Sequence, residues 1–66
     1  SIWLKEEKYY SYVKEIFESK YAKEFFNQKE IITLLDNHYN NIENNGRKVY
    51  TILSFLIWYK KYFVDM

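Results

Sequence analysis

The chain has 66 residues, which limits it to one domain, and its ten basic and nine acidic residues leave a net charge of +1. It has no cysteine and one histidine, so disulfides and thiolate–zinc sites are excluded and a transition-metal site built only from protein ligands is disfavoured. The basic residues are spread along the sequence, which argues against a nucleic-acid surface. The absence of cysteine also favours a reducing cytoplasm as the predicted location.

Aromatic residues make up 23% of the chain, whereas proline is absent and glycine occurs once. A chain this rich in large rings is not disordered, and one this poor in turn formers is not a β-sandwich. Its longest uncharged run, residues 49–59, is about half of the ~20 residues that span a bilayer, so no membrane anchor or secretory signal is predicted. The sequence begins with Ser1 rather than methionine, so we expect either a processed protein or a piece of a longer one.

The first predicted helix covers residues 2–19, in which apolar side chains recur at the spacing of an α-helical turn. The next stretch, SKYAKEFF at residues 19–26, either continues this helix or forms a short packed turn, and the sequence leaves both possibilities open. The apolar stripe of the helix, with the two residues that flank it, consists of Trp3, Tyr10, Val13, Phe17, Tyr9 and Ile16.

The second predicted helix covers residues 28–39 and begins at a recognisable cap. Asn27 is a favoured N-cap residue type, and Glu30 three positions later completes a capping-box pattern. An asparagine-rich stretch with the only glycine, residues 40–46, predicts the loop that follows this helix. The predicted buried side chains are Ile31, Leu34, Leu35 and either His38 or Tyr39.

The third predicted helix covers residues 47–63 and is apolar on nearly every side. A helix of this kind is normally buried all round, and two other short helices cannot supply that cover. The predicted fold is all-α, a small bundle of three helices. The main apolar stripe of the third helix consists of Val49, Ile52, Leu53, Leu56 and Phe63. The side chains that widen this stripe are Tyr50 and Ile57 on one flank and Phe55 and Tyr59 on the other.

The sequence lacks the constellations that catalysis requires. One glycine cannot form a P-loop or a dinucleotide-binding turn, and thiol and metal chemistry are left without ligands. Ser11, Ser19 or Ser54 could pair with His38 on paper, but none has the sequence context of an activated nucleophile. We therefore predict no catalytic, cofactor-binding or metal-binding residue within the chain.

His38, Arg47 and Lys48 are the polar residues that invite a functional interpretation. His38 falls at the end of the second predicted helix, where an imidazole can bond free carbonyls, so a structural role is favoured over a catalytic one. Arg47 and Lys48 open the third helix, and a helix start that carries two cations could contact a carboxylate or phosphate. The simpler alternative is that both side chains extend into water.

The surplus of aromatic residues has two interpretations. Large aromatic side chains can fill a small core, and this interpretation suits Trp3, Phe17 and their neighbours. Phe55, Trp58 and Tyr62 fall on the opposite side of the third helix, and an exposed patch of that size usually marks a partner surface. We expect these three side chains to form a partner surface. The local core is expected to include Val49, Leu53 and Leu56.

Four stretches stand in a distinctive order along the chain: W-L-K…Y-V-K-E-I-F at residues 3–17, E-F-F-N at 24–27, I-I-T-L-L-D-N-H at 31–38 and V-Y-T-I-L-S-F-L-I-W-Y-K-K-Y-F at 49–63. The asparagine-rich loop and Arg47 separate the last two. Together they resemble the extreme C-terminus of glutamine-hydrolysing asparagine synthetase, which ends in a Trp-led helix, a helix closing near a histidine, a loop and a final helix. The family pattern carries Trp and Glu where this chain has Tyr50 and Leu56.

The resemblance implies that residues 1–66 are a single helical segment, the C-terminal tail of a larger synthetase domain. The parent would be an ATP- and glutamine-dependent amide ligase that uses ATP and magnesium, with its glutaminase cysteine and its Ser-Gly-Gly-x-Asp-Ser loop outside this chain. The implied partner is the remainder of that domain, and the implied role is structural docking without catalysis. For the excised piece, a homodimer is a further possible partner arrangement. The alternative function is that of an independent small helical protein–protein interaction module that self-associates.

Overall fold

The computed structural model describes residues 7–65, and every regular element within them is helical. The predicted all-α class is therefore confirmed. Predictions that involve Trp3 or a helical start at residue 2 lie outside the described residues. No helix within the described part combines the length and the hydropathy needed to cross a bilayer. The elements are α1 Glu7–Phe17, α2 Lys20–Phe25, α3 Gln28–Tyr39, α4 Gly46–Tyr59 and the π-helical segment Lys60–Val64.

The stretch SKYAKEFF contains a separate helix, so residues 7–65 hold four α-helices and the predicted count of three is wrong. Ser19 produces the break. Its hydroxyl donates to the carbonyl of Ile16, near the end of α1, at 2.6 Å. The same oxygen accepts from the amide of Ala22 at 3.2 Å and so caps the start of α2. The side-chain amide of Gln28 closes the corner by donating to the carbonyl oxygens of Phe17 at 2.8 Å and Ser19 at 3.2 Å. These side-chain bonds turn the chain where periodicity alone allowed a continuous helix.

The helix α3 has the predicted bounds and the predicted cap. Asn27 Oδ1 accepts from the amide of Glu30 at 3.2 Å, which satisfies one of the donors that a first helical turn leaves free. Leu34 was expected to be buried but is half-buried, because it lies beside the buried stripe rather than on it. The buried side chains of α3 are Ile31, Leu35 and His38.

The core lies where α1, α3 and α4 meet, with one small side chain from α2. The predicted burial of Val49, Leu53 and Leu56 is confirmed, whereas Ile52 is half-buried at the edge of their stripe. A core of this size supports only a few kcal/mol of stability in a short chain. The buried apolar side chains are Val13, Ile16, Phe17, Ala22, Ile31, Leu35, Val49, Leu53 and Leu56.

A polar network joins α1 to α3 at the side of this core. The hydroxyl of Tyr10 donates to the carboxylate of Asp36, and Lys14 Nζ donates to the same hydroxyl at 3.0 Å. The ring centroids of Tyr10 and Tyr39 lie 4.4 Å apart. The hydrogen bond to Asp36 raises the pKa of Tyr10, so the hydroxyl stays protonated and keeps donating across the helix pair.

The last helical turn is wound as a π-helix, and this winding moves Phe63 away from the core. The amide of Asp65 donates to the carbonyl of Lys60 at 2.8 Å, and the side chains of the two residues form an ion pair. Because a π-turn holds more residues than an α-turn, side chains after Tyr59 are rotated from the positions an α-helix would give them. Phe63 is 57% exposed, so the prediction that it continues the buried stripe of Leu56 is wrong.

Replacement of Leu56 by alanine should lower the free energy of unfolding by about 2–5 kcal/mol, because the leucine side chain is fully buried. A chain of this size has only about 3–5 kcal/mol to lose, so Leu56→Ala should be largely unfolded at room temperature. Urea denaturation followed by far-UV circular dichroism measures the change. Ser54→Ala, at an exposed position of the same helix, is the control, and equal midpoints for the two variants would contradict the assignment of Leu56 to the core.

Candidate docking surface

Exposed aromatic side chains are concentrated on one side of the molecule, where α2, α4 and the π-helical segment meet. Their rings form a continuous network in which the centroids of neighbouring rings lie 4.9–6.2 Å apart. More than half of the Trp, Tyr and Phe residues of the chain belong to it. We name this network the aromatic face, and its members are Tyr21, Phe25, Phe26, Phe55, Trp58, Tyr59, Tyr62 and Phe63.

Phe55 is the centre of the aromatic face. Its ring centroid lies 5.1 Å from that of Phe25 and 6.0 Å from that of Phe26, both edge to face, an orientation that aromatic rings favour. Trp58 at 6.0 Å and Tyr59 at 6.2 Å are its neighbours along α4. Phe55 is therefore half-buried and anchors the network, which differs from the expectation that it faces away from the fold. The cover comes from α2 and the turn that follows it.

Trp58, Tyr62 and Phe63 form the outer part of the aromatic face. They are 48%, 52% and 57% exposed, respectively, so each ring has one side against the protein and the other in water. The indole of Trp58 lies 5.3 Å from the ring of Phe63 and 6.1 Å from that of Tyr62, centroid to centroid. Tyr59 stacks on Phe63 at 5.1 Å, and the exposed Val64 extends the apolar surface. The exposure of Trp58 and Tyr62 agrees with the sequence-based expectation.

The helix α2 adds a part of the aromatic face that the sequence did not indicate. Phe25 is about half exposed, and its ring centroid lies 4.9 Å from that of Tyr59. Tyr21 approaches the same Tyr59 ring at 6.1 Å. Tyr21 and Phe25 are four residues apart and so share one side of a helix. That spacing was visible in the sequence, but it indicates a shared face only once α2 is known to be a helix.

Ring-to-ring contact shields the aromatic face only in part. An aromatic pair contributes about 0.5–1.5 kcal/mol beyond the area it buries, but about half of each outer ring remains in water. Contiguous apolar patches of this kind are uncommon on monomeric proteins and mark contact sites. Aromatic residues are also the type enriched at the centres of protein interfaces. The aromatic face thus has the composition and the exposure of a docking surface.

Two lysines of the π-helical segment lie at the edge of the aromatic face. Lys61 Nζ is 5.5 Å from the ring centroid of Tyr62, within the range of a cation–π contact. Lys60 pairs with Asp65, and the hydrogen bond between them raises the pKa of Lys60. All these side chains are exposed, so water screens their charges and the contacts add little to stability.

An open cleft of about 780 Å³ lies between α1 and the π-helical segment and borders the aromatic face at Tyr21. Its walls mix apolar and charged side chains, among them Tyr12, Ile57, Glu15 and Lys60. The serine hydroxyl in its wall belongs to Ser19, which is engaged in capping α2. Within residues 7–65, no three His, Cys, Asp or Glu side chains lie close enough together to hold a metal ion.

His38 organises the junction between α3 and α4. Its ring is 3% exposed, and Nδ1 accepts from the amide of Asn45 at 3.0 Å, so the neutral ring carries its proton on Nε2. The side-chain amide of Asn45, also buried, donates to the carbonyl of Leu34 at 3.1 Å and to Glu43 at 3.4 Å. The predicted structural position of His38 agrees with this geometry, although the ring fixes the start of α4 and was expected to bond carbonyls at the end of α3.

Arg47 and Lys48 are both exposed at the start of α4. The carboxylate of Glu43 lies close enough to Lys48 for their charges to interact. It also accepts hydrogen bonds from the side-chain amides of Asn37, at 3.1 Å, and Asn45, at 3.4 Å. These two hydrogen bonds, with a smaller contribution from the charge of Lys48, lower the pKa of Glu43. The binding of an external anion by Arg47 and Lys48 stays a prediction.

Replacement of Glu43 by glutamine should make folding less sensitive to acid. The ionised carboxylate favours the folded state because Asn37 and Asn45 donate to it, and its folded-state pKa lies below the ordinary 4.5. This contribution is complete above about pH 4.5 and is lost as the pH falls through the lowered pKa. Urea midpoints measured from about pH 6 to about pH 3 should therefore fall less in Glu43→Gln than in the unchanged chain. Glu24→Gln, at an exposed position on α2, is the control, and parallel curves for the two variants would rule out the role of Glu43.

Comparison of the chain with protein-family models, with curated proteins and with solved structures finds no match. The resemblance to asparagine synthetase therefore stays a prediction.

Proposed function

We propose that this chain is a helical docking segment whose function is to bury its aromatic face against another protein surface. The observation that carries the proposal is the row of Trp58, Tyr62 and Phe63, each about half exposed, above the anchoring rings of Phe55 and Phe25. Phe55 packs against the edge of the core, but Phe25, Trp58, Tyr62 and Phe63 are not part of it, so core packing does not explain why these four exposed side chains lie together. Burial of these side chains against a partner would explain their arrangement.

The arrangement of the rings suits binding because it is formed before a partner arrives. Phe55 is held by four neighbouring rings, and Trp58 is held between Phe55 and Phe63. Side chains already fixed by their neighbours lose less conformational entropy when an interface forms. Covering the outer rings then contributes roughly 25 cal/mol per Å² of apolar surface removed from water. Trp and Tyr are the residue types that most often dominate such interfaces.

We assign the partner to the remainder of an asparagine synthetase-like domain, of which this chain would be the C-terminal helical part. The support is the order of segments that resembles this family, together with a docking face on the helix that corresponds to its final one. The parent would be an ATP- and glutamine-dependent amide ligase of the cytoplasm. Its catalytic residues and its ATP and magnesium sites would lie in the parent, and this chain would act by docking alone.

The reading frame that encodes the chain tests this assignment. It should continue upstream into an adenylating domain, and the full protein should form an amide from ATP and glutamine, whereas the isolated 66 residues should show no turnover. Trp58→Lys in the full protein should lower its thermal midpoint. Tyr50→Lys, a second exposed aromatic position of α4 outside the aromatic face, should change it less. Amidation by the isolated chain, or a frame without such a domain, would falsify the assignment.

A second copy of this chain is the alternative partner, and one observation favours it. The net charge is +1, so two copies meet without long-range repulsion, and a two-fold axis would place each aromatic face on the other. The chain would then be an independent interaction module that forms a homodimer.

Sedimentation velocity at several concentrations tests self-association. The unchanged chain should become heavier as its concentration rises, and Trp58→Lys should remain monomeric while keeping its helical circular dichroism, because Trp58 is about half exposed. Tyr50→Lys, about 12 Å away along α4, should associate like the unchanged chain. A chain that is monomeric at every concentration excludes the homodimer, and equal loss of association in both variants excludes the aromatic face as its interface.

A further inference from the structure

The junction between α3 and α4 contains the sequence Asn45-Gly46, which is chemically labile in a flexible chain. The backbone nitrogen that follows an asparagine can attack the side-chain amide carbon, and glycine allows this attack because it has no side chain to hinder it. Every other asparagine of the chain precedes a residue with a side chain. Those asparagines, at 27, 37, 40, 41 and 44, serve as internal references.

We propose that Asn45-Gly46 is a gated deamidation site, blocked in the folded protein and released when the α3–α4 junction opens. The Gly46 nitrogen forms a bond to Asn45 Cγ, the Cγ–Nδ2 bond breaks, and ammonia leaves with the proton of the Gly46 amide. Water then opens the resulting cyclic imide and gives aspartate or isoaspartate. The net reaction converts an amide and water into a carboxylic acid and ammonia, without any oxidant or reductant.

The fold holds both reacting groups away from this reaction. The Gly46 amide lies in the first turn of α4 and donates to Asn44 Oδ1 at 3.3 Å. The side chain of Asn45 is 6% exposed, and its amide nitrogen is held towards α3 and the loop by donation to Leu34 and Glu43. The backbone amide of Asn45 donates to His38. Attack on Cγ requires the Asn45 side chain to leave these partners and the first turn of α4 to unwind.

The rate in solution should therefore follow the fraction of molecules in which the junction is open. Local opening never costs more free energy than global unfolding, and helix ends beside a loop open more easily than a core. Each 1.4 kcal/mol of opening free energy slows the reaction tenfold relative to the unfolded chain. Because the chain is small, this protection is limited, and molecules that open often are modified first.

The product differs from the native residue in a way that destabilises the folded state. At position 45 a carboxylate would replace the donor that now bonds the Leu34 carbonyl and Glu43. The Leu34 carbonyl would lose its side-chain donor, and the new carboxylate at the buried position 45 would face the carboxylate of Glu43. Deamidation would thus shift the equilibrium of the α3–α4 junction towards its open state.

Peptide mass spectrometry tests whether folding protects Asn45 from deamidation. The full chain is incubated folded and in guanidinium chloride at the same mildly alkaline pH, and conversion of each asparagine is followed over time. We expect Asn45 to react fastest in denaturant and at least about tenfold more slowly in the folded chain. Gly46→Ala should remove the preference in denaturant. Equal folded and denatured rates at Asn45, or an Asn45 no faster than the other asparagines in denaturant, would overturn the proposal.

The Asn45→Asp variant tests the consequence separately. Its unfolding equilibrium constant, measured by urea denaturation, should be at least about tenfold larger than that of the unchanged chain. Combining it with Glu43→Gln should recover part of the loss, because the facing charge is then gone. An Asn45→Asp chain as stable as the original would show that the modification does not affect folding and would overturn this half of the proposal.

Discussion

With 66 residues arranged as short helices, the volume that lies away from water is small, and a few large side chains fill it, chiefly Phe17, Leu35 and Leu56. Most of the aromatic rings of the chain have no place there. The remaining architecture follows from this limit. Within residues 7–65, α2 and the turn after it cover Phe55 only in part, and the outer rings lie against one another on the outer side of α4. The aromatic face is thus the part of this apolar sequence that residues 7–65 leave outside their core.

The second constraint is the lack of residues that usually form turns, since proline is absent and glycine occurs once. The chain changes direction through side chains that bond the backbone instead. Ser19 and Gln28 fix the corner between α1 and α2, and His38 with Asn45 fixes the start of α4. Asn41 supplies the left-handed conformation, with φ of 61°, that a glycine would otherwise provide. Such corners are specific but depend on a handful of hydrogen bonds, and those bonds hold the helices in the positions that create the aromatic face.

The sequence predicted what is local and missed what depends on packing. The bounds of α3 follow from the Asn27 cap and a clear apolar stripe, both of which act within one helical turn. The break at Ser19 was missed because serine is accepted both inside helices and at their ends. The position of Phe63 was missed because a change from α to π winding leaves no mark in hydrophobic periodicity. The cover over Phe55 was missed because it comes from α2, and the exposed patch was therefore recognised while its full membership was not.

The π-helical segment has one more consequence. A π-turn holds one residue more between its hydrogen-bonded groups than an α-turn does, so the side chains after Tyr59 lag behind the positions of a continuous α-helix. In a continuous α-helix of the same sequence, Phe63 would lie seven residues after Leu56 on the same stripe, and the outer ring row would lose a member. The position of Phe63 in the aromatic face is thus set by the winding of one helical turn. A change of winding near Lys60 would alter the membership of the aromatic face, with every core side chain left unchanged.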